Sequence, residues 1–403
     1  MLWLRKRETF MRRILKILTR LLLVLIIAAA AAGFYYREEI QRLNAVNSLF
    51  KEEKIIANFS NMRRAFLSTD LPRGDTPVTP LPNGTPMDLS QDVTTWITDR
   101  TVTALVVLKD GQMVHESYYQ GTSPEDLRIS WSVAKSYLSA LMGVLVNEGT
   151  IASIDDPVTK YAPSLASSAY AGSSIRNVLN MSSGVTFDED YLDYDSDINK
   201  MGRVLALGGS MDEFTTEIKD SFTAPGTDWK YVSIDTHVLS MVIRGAMPGS
   251  NIADLMAKHV TGPMGLEATP YYLTDGFGVA FVLGGLNQRT RDYARMGLMF
   301  LQDGRLGETQ IIPADWVAAS TVPSAPTDPD QYGYGYQWWM PRDARPGEFL
   351  ARGVYGQYVY INKPAGVVIA TNAADRKFRE KGVSDQNIDI FRQITDQLSQ
   401  PAQ

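Results

Sequence analysis

The stretch Trp131-Ser132-Val133-Ala134-Lys135-Ser136-Tyr137 sets a serine and a lysine three residues apart at the start of a long apolar run. Tyr137, Leu138, Ala140, Leu141, Met142, Val144, Leu145 and Val146 cover most of a helix circumference, and Gly149 supplies a stop, which predicts a buried, central helix. One helical turn brings positions i and i+3 onto the same face, so the Lys135 ammonium can reach the Ser132 hydroxyl, and the unpaired N–H groups of the helix add positive potential there. Positive surroundings and desolvation both lower a lysine pKa, which makes Lys135 a candidate base and Ser132 a candidate nucleophile without any histidine. Serine at a helix start is also an ordinary N-cap, and the local sequence leaves that reading open. The same spacing recurs at Ser48-Leu49-Phe50-Lys51, in a polar stretch with no glycine-bounded apolar helix after it, and there it reads as coincidence.

The chain has 403 residues, 44% hydrophobic and 21% charged, an ordinary globular composition that excludes a disordered chain and allows a large core. In its first twenty residues Arg5, Lys6, Arg7, Arg12, Arg13, Lys16 and Arg20 stand against Glu8. Their net of +6, in a chain whose total is −6, leaves −12 on the remainder, and so acidic a body argues against nucleic acid as a partner. From Leu21 to Phe34 the sequence is apolar or small throughout, followed by Tyr35, Tyr36 and Arg37. Residues 14–36, with Arg20 snorkelling toward the interface, are long enough for a tilted membrane helix whose basic side stays in the cytoplasm. The run Ala28 to Ala32 equally offers small-residue sites for signal peptidase, so the segment predicts either an inner-membrane anchor or a cleaved secretory signal. Both export the body, to the periplasm or outside. There is no cysteine, hence no disulfide, no lipid-modified cysteine and no thiol nucleophile.

Three regions are expected: a basic tail with an anchor or signal helix over 1–36, a stalk and proline-rich linker over 37–92, and the main domain over 93–403. Thr101 to Leu108 and Gln112 to Tyr119 read as a hairpin around Lys109-Asp110-Gly111. Helical patterns dominate from about 150 to 320. Gly353 to Ile361 and Val367 to Asn372 look like strands, and the stretch from about Val383 to Leu398 like a closing helix. Strands at both ends with a helical middle predict an α/β fold: a mixed, largely antiparallel sheet flanked by terminal helices, with an inserted, mainly helical lobe.

A base-activated serine also needs a proton relay, an oxyanion hole and a wall to position substrate. Tyr231, after the turn Pro225-Gly226-Thr227-Asp228, is a candidate relay, since a phenol beside an ammonium has its pKa lowered; a packed aromatic after a turn is the plainer reading. Ala351-Arg352-Gly353-Val354-Tyr355-Gly356-Gln357 reads as a strand whose glycines let another backbone approach, so that the N–H of Val354 can pair with that of Ser132 around an oxyanion; a bulge explains the glycines equally well. No Gly-x-Ser-x-Gly elbow is present, and His115, His237 and His259 have no metal-ligand spacing around them, so neither metal nor cofactor is expected.

In order and spacing these motifs resemble the serine β-lactamase and penicillin-binding-protein-like hydrolases, in the class C and carboxylesterase branch, from about residue 95 to 398. Ser132-x-x-Lys135 matches the nucleophile motif, Leu179-Asn180-Met181-Ser182-Ser183-Gly184 the Leu-x-Met-x-Ser-Gly segment, and Tyr231-x-Ser233 the Tyr-x-Asn position. Gly284-Gly285-Leu286, Thr290 to Gly297 and Tyr332 to Trp339 resemble further segments of the family. Through Asp188-Glu189-Asp190-Tyr191 and Gly353-x-Tyr355-Gly356-Gln357, the 6-aminohexanoate-dimer hydrolases are the most similar subgroup. The resemblance implies a β-lactamase-like fold and a small ester, amide or peptide-like substrate acylating Ser132. It further implies Lys135 and Tyr231 as the activating pair and the N–H groups of Ser132 and Val354 as the oxyanion hole. Ser233 in place of asparagine, and Ala351-Arg352-Gly353 in place of Lys-Thr-Gly, argue against efficient β-lactam hydrolysis. Trp131, Tyr191, Ser233, Arg352, Gly353 and Tyr355 are the candidate substrate-binding residues, Tyr191 as a lid and Arg352 as a carboxylate anchor if it faces the cleft rather than solvent. Asp188, Glu189, Asp190, Asp193, Asp195 and Asp197 form either a solvated acidic loop or a wall favouring a cationic substrate end. Trp338 and Trp339 suit either an acyl pocket or the core. A cell-wall D-Ala-D-Ala carboxypeptidase or β-lactamase-type enzyme, and a non-catalytic peptide-binding protein, are the competing readings.

Overall fold

The computed structural model describes residues 2–400, so Met1 and residues 401–403, the outer ends of the expected anchor and main domain, lie outside the described residues. The hairpin read around Asp110-Gly111 forms between Val102–Lys109 and Gln112–Tyr118, with both turn residues left-handed, at φ 51° and 80°. It is one side of a seven-stranded sheet in the order Gln112–Tyr118, Val102–Lys109, Val367–Ala373, Gln357–Asn362, Glu348–Gly353, Trp338–Met340 and Gly333–Gly335. The sheet, expected to be mixed and largely antiparallel, is antiparallel at every one of these pairings.

Its central strands are apolar on both sides because both sides are covered. Val106, Leu108, Val359 and Val368 enter one core, and Leu105, Val107, Tyr360 and Ile369 enter the other, following the two-residue period of a strand. Helices Val133–Asn147 and Thr290–Leu301 lie on the first face, and Gly297 lets the second of them approach: a Cβ there would stand 2.4 Å from Val368 Cγ1. Helices Gln91–Asp99 and Val383–Ser399 cover the other face, where Trp96 meets Phe391 edge-on with ring centroids 5.8 Å apart. The helical lobe, running through Asp197–Leu207, Met211–Glu217 and Asp235–Ala246, is inserted between the Ser132 helix and the C-terminal strands. A second sheet of four short antiparallel strands brings Arg128–Ile129, just before Ser132, beside Leu286–Gln288.

Two expectations give way. The segment read as a stalk over 37–92 is largely part of the body: Leu49, Ile55, Phe59, Met62 and Leu71 are buried, and Leu67–Asp70 pairs with Tyr271–Thr274. The apolar residues set among its polar ones are core residues of the main domain. Its proline-rich part runs along the free edge of the large sheet, where Met113 N donates to Pro82 O at 2.7 Å and Met87 N to Val114 O at 2.9 Å, so the edge is covered. Likewise Ala351 to Gln357 is not one strand but the end of one, a turn over 354–356 and the start of the next. Tyr355 and Gly356 are left-handed, at φ 60° and 87°, and the chain reverses from Glu348–Gly353 into Gln357–Asn362.

Leu2–Tyr35 is one helix, exposed on all sides from Phe10 onward, and Phe10–Tyr35 is long and apolar enough to cross a membrane.

Candidate active site

Ser132 sits where the strand Arg128–Ile129 turns into the helix Val133–Asn147. The turn is made by Trp131 with φ 42°, a left-handed conformation that a bulky residue holds only when its surroundings enforce it. Ser132 occupies the N-cap position, yet its side chain makes no capping hydrogen bond, so the simple cap reading fails and the hydroxyl is left for other partners. One turn on, Lys135 is 1% exposed; its Nζ lies 3.4 Å from Ser132 Oγ and donates to Leu283 O at 2.7 Å. Burial lowers the Lys135 pKa to about 7, against the opposing pull of Glu189 and Asp235.

Tyr231 comes from the far side, its ring centroid 5.5 Å from Lys135 Nζ and its hydroxyl turned toward the Ser132 and Ser233 side chains. The expected lowering of its pKa is reversed. Burial, and then the Glu189 carboxylate, push the phenol above its ordinary range, because desolvation and a negative charge both disfavour a phenolate. Lys135, not Tyr231, is the group that its surroundings hold deprotonated near neutral pH.

Gly353 closes the site from the sheet side. A Cβ there would stand 2.6 Å from Ser130 O and 3.0 Å from Ser132 N, so only glycine allows the hairpin end to reach the Ser132 backbone. Among the described residues, neither Ser132 N nor Val354 N donates to a backbone carbonyl. Ser132, Glu189, Tyr191, Tyr231, Trp339 and Arg352 line a cleft of about 350 Å³, with Val354 on its wall. A larger hollow of about 720 Å³, bordered by Arg63, Arg64 and Glu125, contains none of these groups.

The sequence-predicted residues divide at this cleft. Tyr191, Arg352 and Gly353 line it with Ser132 and Tyr231; Trp131, Ser233 and Tyr355 do not. Trp131 and Tyr355 are turned away into aromatic packing with Phe59, at 5.5 and 5.4 Å. Ser233 is buried behind Glu189, its N donating to Glu189 Oε1 at 2.5 Å and its hydroxyl 3.2 Å from Glu189 Oε2. Trp338 is a core residue, whereas Trp339 lines the cleft. Arg352 faces the cleft rather than open solvent, over the Trp339 ring at 5.4 Å, and donates to Ser384 Oγ at 2.6 Å.

Glu189 is the group the sequence pattern did not separate from its neighbours. Five other acids crowd the same loop, and Asp190 pairs outward with Arg379 at 2.9 Å, while Glu189 is drawn inward by Ser233 and Tyr191. Burial holds its carboxyl above the usual carboxylate range, with Lys135 pulling the other way. Asp235, also buried, accepts from the hydroxyls of Tyr170 at 2.7 Å and Ser183 at 2.9 Å, and desolvation raises its pKa to about 8. Its partner Ser183 lies in the Leu-x-Met-x-Ser-Gly segment, which is thereby tied to a carboxyl whose charge acts on Lys135.

Residues 95–388 match the family model described as Beta-lactamase. A 6-aminohexanoate-dimer hydrolase of Paenarthrobacter ureafaciens is 28% identical over 299 residues, covering 70% of this chain and 74% of that protein. Among solved structures, a candidate 6-aminohexanoate-dimer hydrolase of Bacillus anthracis superposes with a TM-score of 0.75 at 20% identity, covering 88% of this chain and 97% of that one. A family VIII carboxylesterase does so with a TM-score of 0.58 at 15% identity, over 77% of this chain and 99% of that one. With the fold, the span of the match and the cleft in agreement, the chain belongs to the beta-lactamase family and is a serine hydrolase of that family.

Proposed function

We propose that this protein hydrolyses short linear amides or esters through an acyl intermediate on Ser132. The observation that carries the reading is Ser132 Oγ, free of capping duty and 3.4 Å from the Nζ of a lysine whose burial favours the neutral amine. Neutral Lys135 takes the Ser132 proton as Oγ attacks the substrate carbonyl, and the N–H groups of Ser132 and Val354 receive the oxyanion. Collapse expels the alcohol or amine, which takes a proton from Tyr231 as the phenol regains one from Lys135. Water then attacks the acyl-serine along the reverse route, releasing the acid and restoring Ser132.

The substrate class follows from the cleft and from the relative that acts on the 6-aminohexanoate dimer. Trp339, Tyr358 and Phe378 give it apolar walls, and Arg352, with no carboxylate partner among the described residues, suits the carboxylate end of a linear acid. The Ser233 hydroxyl is engaged by Glu189 rather than turned to the cleft, which disfavours a β-lactam amide there. The exposed helix Phe10–Tyr35 supports an anchor or an export signal, with the acidic body on the far side of the membrane; protease added to spheroplasts digests an anchored body if this is so, and a cleaved one is found in the medium or periplasmic fraction.

The test is hydrolysis of a short-chain p-nitrophenyl ester by the detergent-solubilised full chain beside Ser132→Ala, with the 6-aminohexanoate dimer and nitrocefin in parallel. Ester and dimer turnover lost only in the variant supports the proposal. Turnover of nitrocefin alone would replace it with a β-lactamase reading, and absence of any turnover, together with no labelling by a fluorophosphonate, with a peptide-binding one.

A further inference from the structure

The segment between the exposed N-terminal helix and the first strand places two phenylalanines behind the proposed oxyanion hole. Phe50 stacks on Tyr355 with ring centroids 5.2 Å apart and planes 14° apart, and lies 6.0 Å from Trp131. Phe59, completely buried, meets the same two rings edge-on at 5.4 and 5.5 Å, and Trp131 and Tyr355 are themselves 6.1 Å apart.

Where these two partner rings stand in the chain matters most. Trp131 precedes Ser132 and Tyr355 follows Val354, so the rings belong to the chain neighbours of the two N–H groups assigned to the oxyanion. Both neighbours are left-handed, at φ 42° and 60°, a conformation that large side chains keep only where the surroundings over-determine it. Neither ring lines the cleft, so substrate cannot be what holds them. The packing continues from Tyr355 to Phe378 at 4.7 Å and from Phe378 to Tyr191 at 6.2 Å, both of which do line it. Arg376 and Glu52, 2.6 Å apart, join the same segment to the loop that carries Phe378, although both are too exposed for the pair to add much stability.

We infer that Phe50 and Phe59 are positioning residues for the reaction: their rings clamp Trp131 and Tyr355 and thereby fix how the Ser132 and Val354 N–H groups converge on the oxyanion. The inference rests on the acyl-serine reading above. It makes the segment after the N-terminal helix part of the catalytic apparatus, since oxyanion donors act only when aimed at the charge that develops.

Phe59 is too buried to probe without loss of the fold, but Phe50 is 43% exposed and can be removed at little cost to stability. The experiment compares Phe50→Ala, Phe50→Tyr and Ser132→Ala with wild type in the full chain, reading kcat, KM, the pH profile and Tm with a p-nitrophenyl ester. Phe50→Ala is expected to lower kcat roughly ten-fold, the scale of a small misplacement at a reacting centre. KM, the midpoint of the pH profile and Tm should hold, because neither the walls of the cleft nor Lys135 is touched. Phe50→Tyr, which restores the stacked ring, should regain most of the rate. A Phe50→Ala enzyme as fast as wild type, or one whose loss tracks a fall in Tm and is not rescued by tyrosine, overturns the inference. If wild type is no faster than Ser132→Ala, the acyl-serine reading fails and the inference falls with it.

Discussion

Ser48-x-x-Lys51 and Ser132-x-x-Lys135 share one spelling and have opposite surroundings. Ser48 ends the helix Arg37–Asn47, its hydroxyl donating back to Ala45 O at 3.1 Å, and Lys51 is exposed, its ammonium in water. Ser132 opens a helix buried almost throughout, its hydroxyl bonded to no capping partner, and Lys135 is enclosed by the helix, the Leu283 carbonyl and Tyr231. The Lys135 amine stands 3.4 Å from the Ser132 hydroxyl, whereas the Ser48 hydroxyl turns to its own helix, and an amine is deprotonated near neutrality only where its ammonium form is desolvated. What separates the two pairs is burial of the lysine, which the motif does not encode.

The sharpest way to break the comparison is Ser132→Ala, which should remove on the order of 10³-fold or more of ester turnover, as loss of a serine nucleophile does elsewhere. Its Tm should stay close to that of wild type, because the hydroxyl caps nothing. Retained turnover would move the nucleophile elsewhere, Ser48 included. Next in size is Lys135→Ala, for which a loss of about 10² to 10⁴-fold is expected from removal of a general base. The wild-type rate should rise with pH through about 7, since the active form of Lys135 is the deprotonated one and acid restores the ammonium. A wild-type profile with no such limb, or one that survives in Lys135→Ala, would assign the base to another group.

Glu189→Gln sharpens the account of what tunes Lys135. The Glu189 charge favours the ammonium, so its removal should lower the Lys135 pKa further and carry the acid limb of the rate profile to lower pH. Movement to higher pH would mean that Glu189 acts through position rather than charge. The smallest effect is expected from Ser48→Ala and Lys51→Ala, both of which should leave ester turnover within about two-fold of wild type, as surface substitutions away from a site do.

Much of this molecule is legible in the residues. Tyr137 to Val146 spell a buried helix and Gly149 its end, Asp110-Gly111 spells the hairpin, and Val383 to Leu398 nearly coincide with the observed helix Val383–Ser399. Less legible is whatever depends on a distant partner. Phe50 and Phe59 lie among charged and polar residues and read as stalk, because the rings they pack on come from Trp131 and Tyr355, far along the chain. Glu189 is one acid among six in its loop until Ser233, on another segment, turns it inward.

By itself the sequence determined which local elements form and which serine and lysine can meet, since helical spacing and strand alternation are properties of neighbouring residues. Tertiary structure decided which of the two Ser-x-x-Lys pairs is enclosed, that Lys135 and not Tyr231 has its pKa lowered, and that Arg352 turns to the cleft. Burial and the charges around a group are set by segments that meet only when the chain has folded.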